Sequence, residues 1–412
     1  MSALRAVRAK TKQPVRARKL PLRSPNRKRK RDRRVRKVKL QPVVSLSRYK
    51  EEWTMGSHQG YGKGWSHGFH MGRCQSLMRD IPQERGLIWN LKVMYVRANG
   101  LPYAAMDEGI EASLRDMVRE VIVVNPADPI VQIAQEARPD LVLVLDAIGQ
   151  SVPGDVVQAI RAQGIRTAIW LPDDPYHSDQ SMGLVPHFDY VFTLEKSCVE
   201  PYKSMGCANV HYLPFGIHPD RVKLDYVPTN FRKDICFIGT AFWNRVAFID
   251  EMADYLQDKD FMINGYWWDR LSSYNKLSSK IQGYWLSPQD TMKYYHGAKI
   301  VINLHRATDD VSHNSNSRQI PAFSPNPRLF DITASGTLQL TDVRDELTNF
   351  YKPGEELDTF SSPQELIQKI EYYLAHEEER QHIALRGMAR TLKDHTYRNR
   401  LNELLTITQK GG

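Results

Sequence analysis

Three stretches of the 412-residue chain carry side chains suited to chemistry on a bound ligand. The first is Pro172-Asp173-Asp174-Pro175-Tyr176-His177, two adjacent carboxylates between prolines, directly after the apolar run Thr167–Leu171. A carboxylate so placed can draw a proton from an attacking hydroxyl or orient an acceptor. An Asp-Pro turn in which one carboxylate caps the next element uses the same residues. The second is Phe237-Ile238-Gly239-Thr240, followed by Phe242-Trp243-Asn244-Arg245. A glycine between strand and helix lets backbone amides approach a phosphate, and the helix dipole favours an anion there. Arg245 could then neutralise a diphosphate, although an ordinary tight turn explains the glycine equally well.

The third stretch, residues 303–342, is the densest. Asn303-Leu304-His305-Arg306 leaves an apolar run, and a polar loop with Asp309, Asp310, His313, Asn314, Asn316 and Arg318 follows. Asn326-Pro327-Arg328-Leu329-Phe330-Asp331 then opens a helix that Ala334-Ser335-Gly336 closes. Proline suits a first helical turn. Asp331, one turn inside, can accept two hydrogen bonds from a ribose diol. The small residues Ala334, Ser335 and Gly336 let the helix end approach the next strand or a ligand. A capped helix accounts for Gly336 but not for the polar loop before it, so a binding site is the better reading.

Short apolar runs must position these groups. Leu91–Val96, Val121–Val124, Leu141–Leu145, Thr167–Leu171 and Tyr190–Leu194 alternate with the amphipathic stretches Met106–Val118, Pro129–Ala137, Pro153–Gln163 and Ser197–Met205. Buried strands alternating with helices predict a parallel sheet covered on both faces. The rhythm restarts with strands at Asp234–Ile238, Phe261–Asn264, Ile300–Leu304 and Thr337–Leu340, and helices at Trp243–Leu256, Pro288–His296 and Pro327–Ala334. The Pro-rich segment Leu213–Val227 reads as the hinge, and Pro363–Thr406 as helical throughout. Two doubly wound α/β domains with terminal helices result.

The chain's charge is uneven. Of 57 basic and 47 acidic side chains, residues 1–40 hold 18 basic and one acid, Asp32. The other 372 residues are mildly acidic. Such an arm buries too little apolar surface to offset its ordering entropy, and disorder is expected for it. A polyanion is the partner its charge suits. An electrostatic tail without a unique partner fits equally. In residues 41–88, Gly60, Gly64, Gly68 and Gly72 recur every fourth residue beside Tyr61, Trp65 and Phe69. As a helix this has a glycine ridge beside an aromatic ridge and wants a close-packed neighbour; otherwise it is a Gly-rich linker. No apolar run reaches the ~20 residues of a membrane helix, and the start lacks a signal peptide's apolar block. Cys74, Cys198, Cys207 and Cys236 have neither zinc-ligand nor CxxC spacing, which points to free thiols in a reducing cytoplasm.

A family resemblance rests on Asn303-Leu304-His305-Arg306, Asn316–Pro321, Asn326–Gly336, Pro353-Gly354-Glu355-Glu356 and His395-Thr396-Tyr397-Arg398, with Trp170–Pro175 in the first half. In this order they resemble the glycosyltransferase-like CgeB spore maturation family, over roughly residues 60–405. The resemblance implies a GT-B architecture, two Rossmann-like domains facing across a cleft. It also implies hexosyl or related glycosyl transfer from a nucleotide sugar, with no cofactor and no obligatory metal. The expected organisation is a basic arm (1–40), the Gly/aromatic segment (41–88), an acceptor-side domain (89–215) and a donor-binding domain with terminal helices (216–412).

Carried over by position, Asp331 resembles the donor-ribose acid, usually glutamate in the family. Asn326 and Arg328 match residues that face the donor sugar or phosphates. Gly239 and Arg245 fall at the phosphate-binding turn, and Phe323 stands where an earlier acid is expected. The expected donor-binding set is therefore Gly239, Arg245, Asn303, His305, Arg306, Asn326, Arg328, Asp331, Ser335 and Gly336. Asp173 or Asp174 would act on the acceptor, an unidentified glycan, protein or small molecule. The family implies work in spore-surface or envelope glycan maturation, in the cytoplasm or beside spore layers. The competing expectation is a non-catalytic spore-layer assembly protein that keeps a sugar-nucleotide cleft as a binding module.

Overall fold

Runs such as Leu141–Leu145, apolar at every position, are buried along their whole length, as strands covered on both faces must be. The structure, a computed structural model, describes residues 46–81, 88–146 and 152–410. The basic arm of residues 1–40 lies outside them. The described residues divide between two units, one ending at Tyr61 and the other beginning at Gly62. Helix α1 (Leu46–Asp80) supplies what is described of the first, and the second holds all other elements below.

The first lobe has six parallel strands, β1 (Trp89–Val96), β2 (Val118–Val124), β3 (Leu141–Leu145), β4 (Arg166–Leu171), β5 (Tyr190–Thr193) and β6 (Val210–Tyr212). Their order is β2-β1-β3-β4-β5-β6. Between them run α2 (Ala104–Met117), α3 (Ile130–Ala137), α4 (Gly154–Arg161), α5 (Ser178–Leu184) and α6 (Val199–Ser204). The second lobe has β7 (Lys233–Ile238), β8 (Phe261–Asn264), β9 (Ile281–Gln282), β10 (Ala298–Asn303), β11 (Leu338–Asp342) and β12 (Asp358–Phe360), all parallel. Their order is β12-β11-β10-β7-β8-β9. Its helices are α7 (Trp243–Leu256), the short α8 (Tyr274–Leu277), α9 (Pro288–Gly297) and α10 (Arg328–Ala334), followed by α11 (Pro363–Ala375), α12 (Glu377–Asp394) and α13 (Tyr397–Lys410).

Each sheet grows one way and then reverses, between β1 and β3 in the first lobe and between β7 and β10 in the second. Ligands of open α/β sheets sit outside the carboxyl ends of the strands at that reversal. Gly239 follows β7 and Leu304-His305-Arg306 follows β10, so both stretches picked from the sequence flank the second lobe's reversal.

Two features depart from expectation. Helix α13, grouped with the second lobe by sequence, packs Tyr397, Leu401, Leu404 and Leu405 into the first-lobe core. The chain returns there through a backbone bridge between Ile217 and Thr396, and Trp170 stacks on Phe215 at 4.4 Å with Tyr397 at its edge. The polar loop after β10 is largely a strap between lobes. Ile320 is buried in the first-lobe core, and Ser178 Oγ donates to Asn316 Oδ1 (3.0 Å). Glu195 of the first lobe accepts the backbone N–H of Phe323 (3.2 Å) and of Ser324 (3.0 Å).

The Gly/aromatic segment is helical, as one of its two readings required. From residue 62 on, α1 docks through His70, Cys74, Leu77 and Met78. Its Gly64, Gly68 and Gly72 have no atom of the described residues within 4 Å of where a Cβ would lie. Trp65 and Phe69 stack on each other and stay more than half exposed. No helix among the described residues is long and apolar enough to cross a membrane.

Gly387, inside α12, presses its Cα side on the Glu356 carbonyl, where an added Cβ would sit 2.1 Å from the oxygen. In an open helix Gly→Ala stabilises by about 1 kcal/mol. Here the backbone must move instead, and Gly387→Ala is expected to destabilise by roughly 1–3 kcal/mol in urea unfolding. A stabilised variant would show that the Glu356 carbonyl gives way at this contact without cost.

Candidate active site

A cavity of about 960 Å³ lies between the lobes. Its second-lobe wall is built around Gly239, where the two arginines meet. A Cβ on residue 239 would lie 3.1 Å from Arg245 Nη1 and 3.4 Å from both terminal nitrogens of Arg328. The role expected for Gly239 changes accordingly. Its own N–H is committed to the Asn264 carbonyl (2.8 Å), so the missing side chain admits guanidinium groups rather than exposing that amide. Arg245 is 3% exposed, and its Nε and Nη1 donate to the Leu304 and Thr240 carbonyls (2.9 Å each). Burial, and next the Arg328 charge, pull its pKa down to about 9. Two cations sharing one dry corner make a site that gains from an anion.

Arg328 is aimed by a relay from β10 and β11. Asn303 is fully buried and exchanges side-chain amide bonds with Asn326 (2.9 and 3.2 Å). Arg328 Nη1 donates to Asn303 Oδ1 (3.4 Å), and Leu329 N–H to Asn326 Oδ1 (3.1 Å). His305 accepts the Asn326 N–H on Nε2 (3.0 Å), which leaves Nδ1–H to donate to Asp342 (2.5 Å). Both ring nitrogens are therefore engaged, with burial lowering the His305 pKa. Asn303, expected to touch the donor, is buried behind the wall and holds Arg328, while His305 lines the cavity and also fixes the Asn326 turn. Asn326 and Arg328 line the cavity themselves.

Asp331 also faces the cavity. Among the described residues no donor is within hydrogen-bond reach of its carboxylate, and burial pushes its pKa up to about 7 against the pull of Arg221 and Arg328. Ser335 and Gly336 lie at the other end of α10. Ser335 is fully buried, its hydroxyl on the Ile332 carbonyl (2.6 Å). Gly336, at φ +72, abuts Cys74 Sγ and accepts His70 Nε2 (2.7 Å). Neither residue is on the cavity wall: Ser335 bonds Ile332 and His296, and Gly336 meets α1, because the two ends of so short a helix face different surroundings.

Across the cleft the paired aspartates separate. Asp174 is 2% exposed and accepts the hydroxyls of Thr193 (2.7 Å), Tyr202 (2.7 Å) and Ser181 (3.1 Å). Asp174 also borders the cavity, but its two oxygens are committed to these hydroxyls, which favours Asp173 as the candidate acid–base group. Asp173 faces the cavity and accepts the Tyr103 hydroxyl (2.5 Å). Burial raises its pKa to about 6, moderated by Tyr103 and then Arg306. Arg306, from the second lobe, lies over the rings of Phe242 (4.1 Å) and Tyr176 (5.0 Å), and its Nη1 meets His177 Nε2 (3.3 Å). The sequence reading missed Tyr103, Asp342 and Glu195. Asp342 ends β11 and Glu195 stands two residues after β5, so the same scan of strand ends could have found both.

The raised pKa of Asp331 has a signed consequence. The native state keeps the proton that the unfolded chain releases near its ordinary value of 3.8. The resulting cost is absent below about pH 4 and complete above about pH 7. Asp331→Asn should therefore stabilise the ligand-free protein at pH 8, by on the order of 1–2 kcal/mol once partial exposure is discounted. At pH 4.5 urea unfolding should show only about a quarter of that difference, and an equal gain at both pH values would mean the carboxylate is well solvated.

With this geometry in view, the comparisons with known proteins take their place. Residues 245–406 match the family described as Glycosyl transferase-like. Spore protein CgeB of Bacillus subtilis strain 168 is 26% identical over 311 residues, 74% of this chain and 95% of CgeB. Among solved structures, sucrose-phosphate synthase from Thermosynechococcus elongatus superposes with a TM-score of 0.53 at 12% identity, covering 78% of this chain and all of that one. HepE of Anabaena, in complex with UDP and glucose, gives 0.51 at 11% identity, over 78% of this chain and 98% of its own. Identities this low speak for the fold. The chain is thus similar to CgeB along most of its length and to a glycosyl transferase-like family over residues 245–406, and its fold is the GT-B arrangement of two Rossmann-like lobes.

Proposed function

We propose that the protein transfers a sugar from a nucleoside diphosphate sugar to an acceptor hydroxyl bound beside Asp173. The observation that carries this reading is the meeting of Arg245 and Arg328 over Gly239, with an unpartnered Asp331 on the same wall and Asp173 opposite. The capture of UDP and glucose by HepE supports uridine as the nucleotide.

Asp331 accepts the ribose hydroxyls, and Arg328, with Arg245 behind it, holds the diphosphate. As the bond from the anomeric carbon to the diphosphate breaks, charge grows on the departing phosphate oxygen. Fixed guanidinium groups in a low-dielectric corner stabilise that charge, so no divalent metal is needed. Asp173 takes the acceptor's proton as its oxygen bonds to the anomeric carbon. With its pKa at about 6, Asp173 is ionised at neutral pH, and turnover should rise as pH passes 6.

Asp331→Ala is expected to weaken UDP binding by roughly ten- to a hundredfold, the loss of hydrogen bonds to a charged group, with the fold retained. Asp173→Asn should abolish sugar transfer while UDP affinity stays as in the parent. Chelator should leave transfer unchanged, and strict dependence on added metal would count against the arginine mechanism. One observation favours a second reading, a non-catalytic spore-layer or envelope module. Arg245 spends two of its nitrogens on carbonyls, which limits its help to a leaving group. Sugar-nucleotide binding without turnover at any pH would select that reading.

A further inference from the structure

An aromatic shelf leads from the cavity to the outer surface of the second lobe. Phe242, Tyr266 and Arg306 line the cavity. Phe242, under Arg306, meets Trp267 edge to face at 6.1 Å. Arg270 then lies between two indoles, 4.4 Å from the Trp267 ring and 5.0 Å from that of Trp243. A cluster serving only packing would turn these rings inward. Instead Trp243 is 49% and Trp267 42% exposed, and Tyr266 beside them 44%. Grouped apolar rings left open next to a cleft mark a binding face.

The shelf is also held rigidly. Trp267 has φ +70, a left-handed conformation that bulky residues rarely adopt and that surrounding structure must impose. The next residue supplies part of that hold: Trp268 is 1% exposed, its indole N–H donating to the Gly239 carbonyl (2.9 Å). Arg270 Nη1 donates to His313 Nε2 (3.2 Å), and His313 Nδ1 is held by Asp310 (3.1 Å). His313 in turn packs on Trp267 at 4.8 Å. Flat apolar faces flanking a fixed planar donor suit a pyranose, whose C–H face lies on a ring while its hydroxyls accept hydrogen bonds.

We infer that Trp243, Arg270 and Trp267 form a second carbohydrate subsite, which holds the units of an oligosaccharide acceptor beyond the one that reacts. The direction of the inference rests on the glycosyl-transfer reading. The run of contacts starts at Arg306, whose charge acts on Asp173, where the acceptor hydroxyl sits in that reading.

The test uses the full chain, with maltohexaose, cellohexaose and chitohexaose as probes, each against its monosaccharide, by calorimetric titration. UDP is titrated in parallel. The variants are Trp243→Ala and Trp267→Gly, the glycine chosen because it tolerates the left-handed backbone. At least one hexasaccharide should bind about tenfold tighter than its monosaccharide. Each variant should lose most of that gain while UDP affinity and melting temperature hold. Hexasaccharides binding no better than monosaccharides, or variants that keep the gain, would overturn the subsite. Failure of the parent to bind UDP would overturn the donor reading instead and leave the oligosaccharide result readable by itself.

Discussion

Two guanidinium groups are brought to the same point because residue 239 has no side chain to keep them apart. Like charges in a corner of low dielectric repel, and among the described residues neither is neutralised by a carboxylate in direct contact. Arg245 stays there only because carbonyls of Leu304 and Thr240 hold it from two sides. A surface guanidinium would relax into water; a buried one retains an unmet demand for an anion. Much of the second lobe follows from this demand: the buried Asn303–Asn326 pair, the oriented His305 and the acid Asp342 that fixes its tautomer all serve to keep Arg328 on station.

The first lobe answers with a carboxylate of the opposite character. Asp173 is pushed toward neutrality by burial, yet kept ionisable near pH 6 by Tyr103 and the Arg306 charge. Its neighbour Asp174 shows how different the same side chain becomes when three hydroxyls surround it. Both border the cavity, but Asp174 spends its oxygens on the fold while, among the described residues, Asp173 accepts only the Tyr103 hydroxyl. Burial raises both carboxyls to about 6, so their difference lies in how many hydroxyls each accepts and not in how readily each ionises.

The sheets, their parallel sense and most central strands were legible in the sequence because they depend on local apolar runs. β3, β8 and α7 have the bounds that their residues predict. The edge strands β6, β9 and β12 escaped notice, being two or three residues long with little apolar signal. Candidate residues on the ligand wall were legible as types, but not as directions. Nothing local distinguishes Asp173 from Asp174. Nor does anything local say that Gly336 meets Cys74, more than 260 positions away. The polar loop misled for the same reason: Asn316 and Ser317 bond to the first lobe, and a residue that straps two lobes looks, in sequence, like one that awaits a ligand.

That strap bears on how the cleft can work. Opening the lobes on its side would expose Ile320, costing about 1.5–3 kcal/mol of apolar burial. It would also strip Glu195 of the two backbone N–H groups it receives from Phe323 and Ser324. A buried carboxylate that loses such donors is penalised further. Helix α13, sunk in the first-lobe core after crossing from the second, adds a second tie. Lobe motion large enough to admit a ligand must therefore pivot about these ties and open away from them. The Arg306–Tyr176–His177 contact lies on the strap's side, where Ser315 N–H also donates to the Tyr176 carbonyl (2.8 Å). These bonds tie Arg306, whose charge acts on Asp173, to the same side of the cleft as the strap.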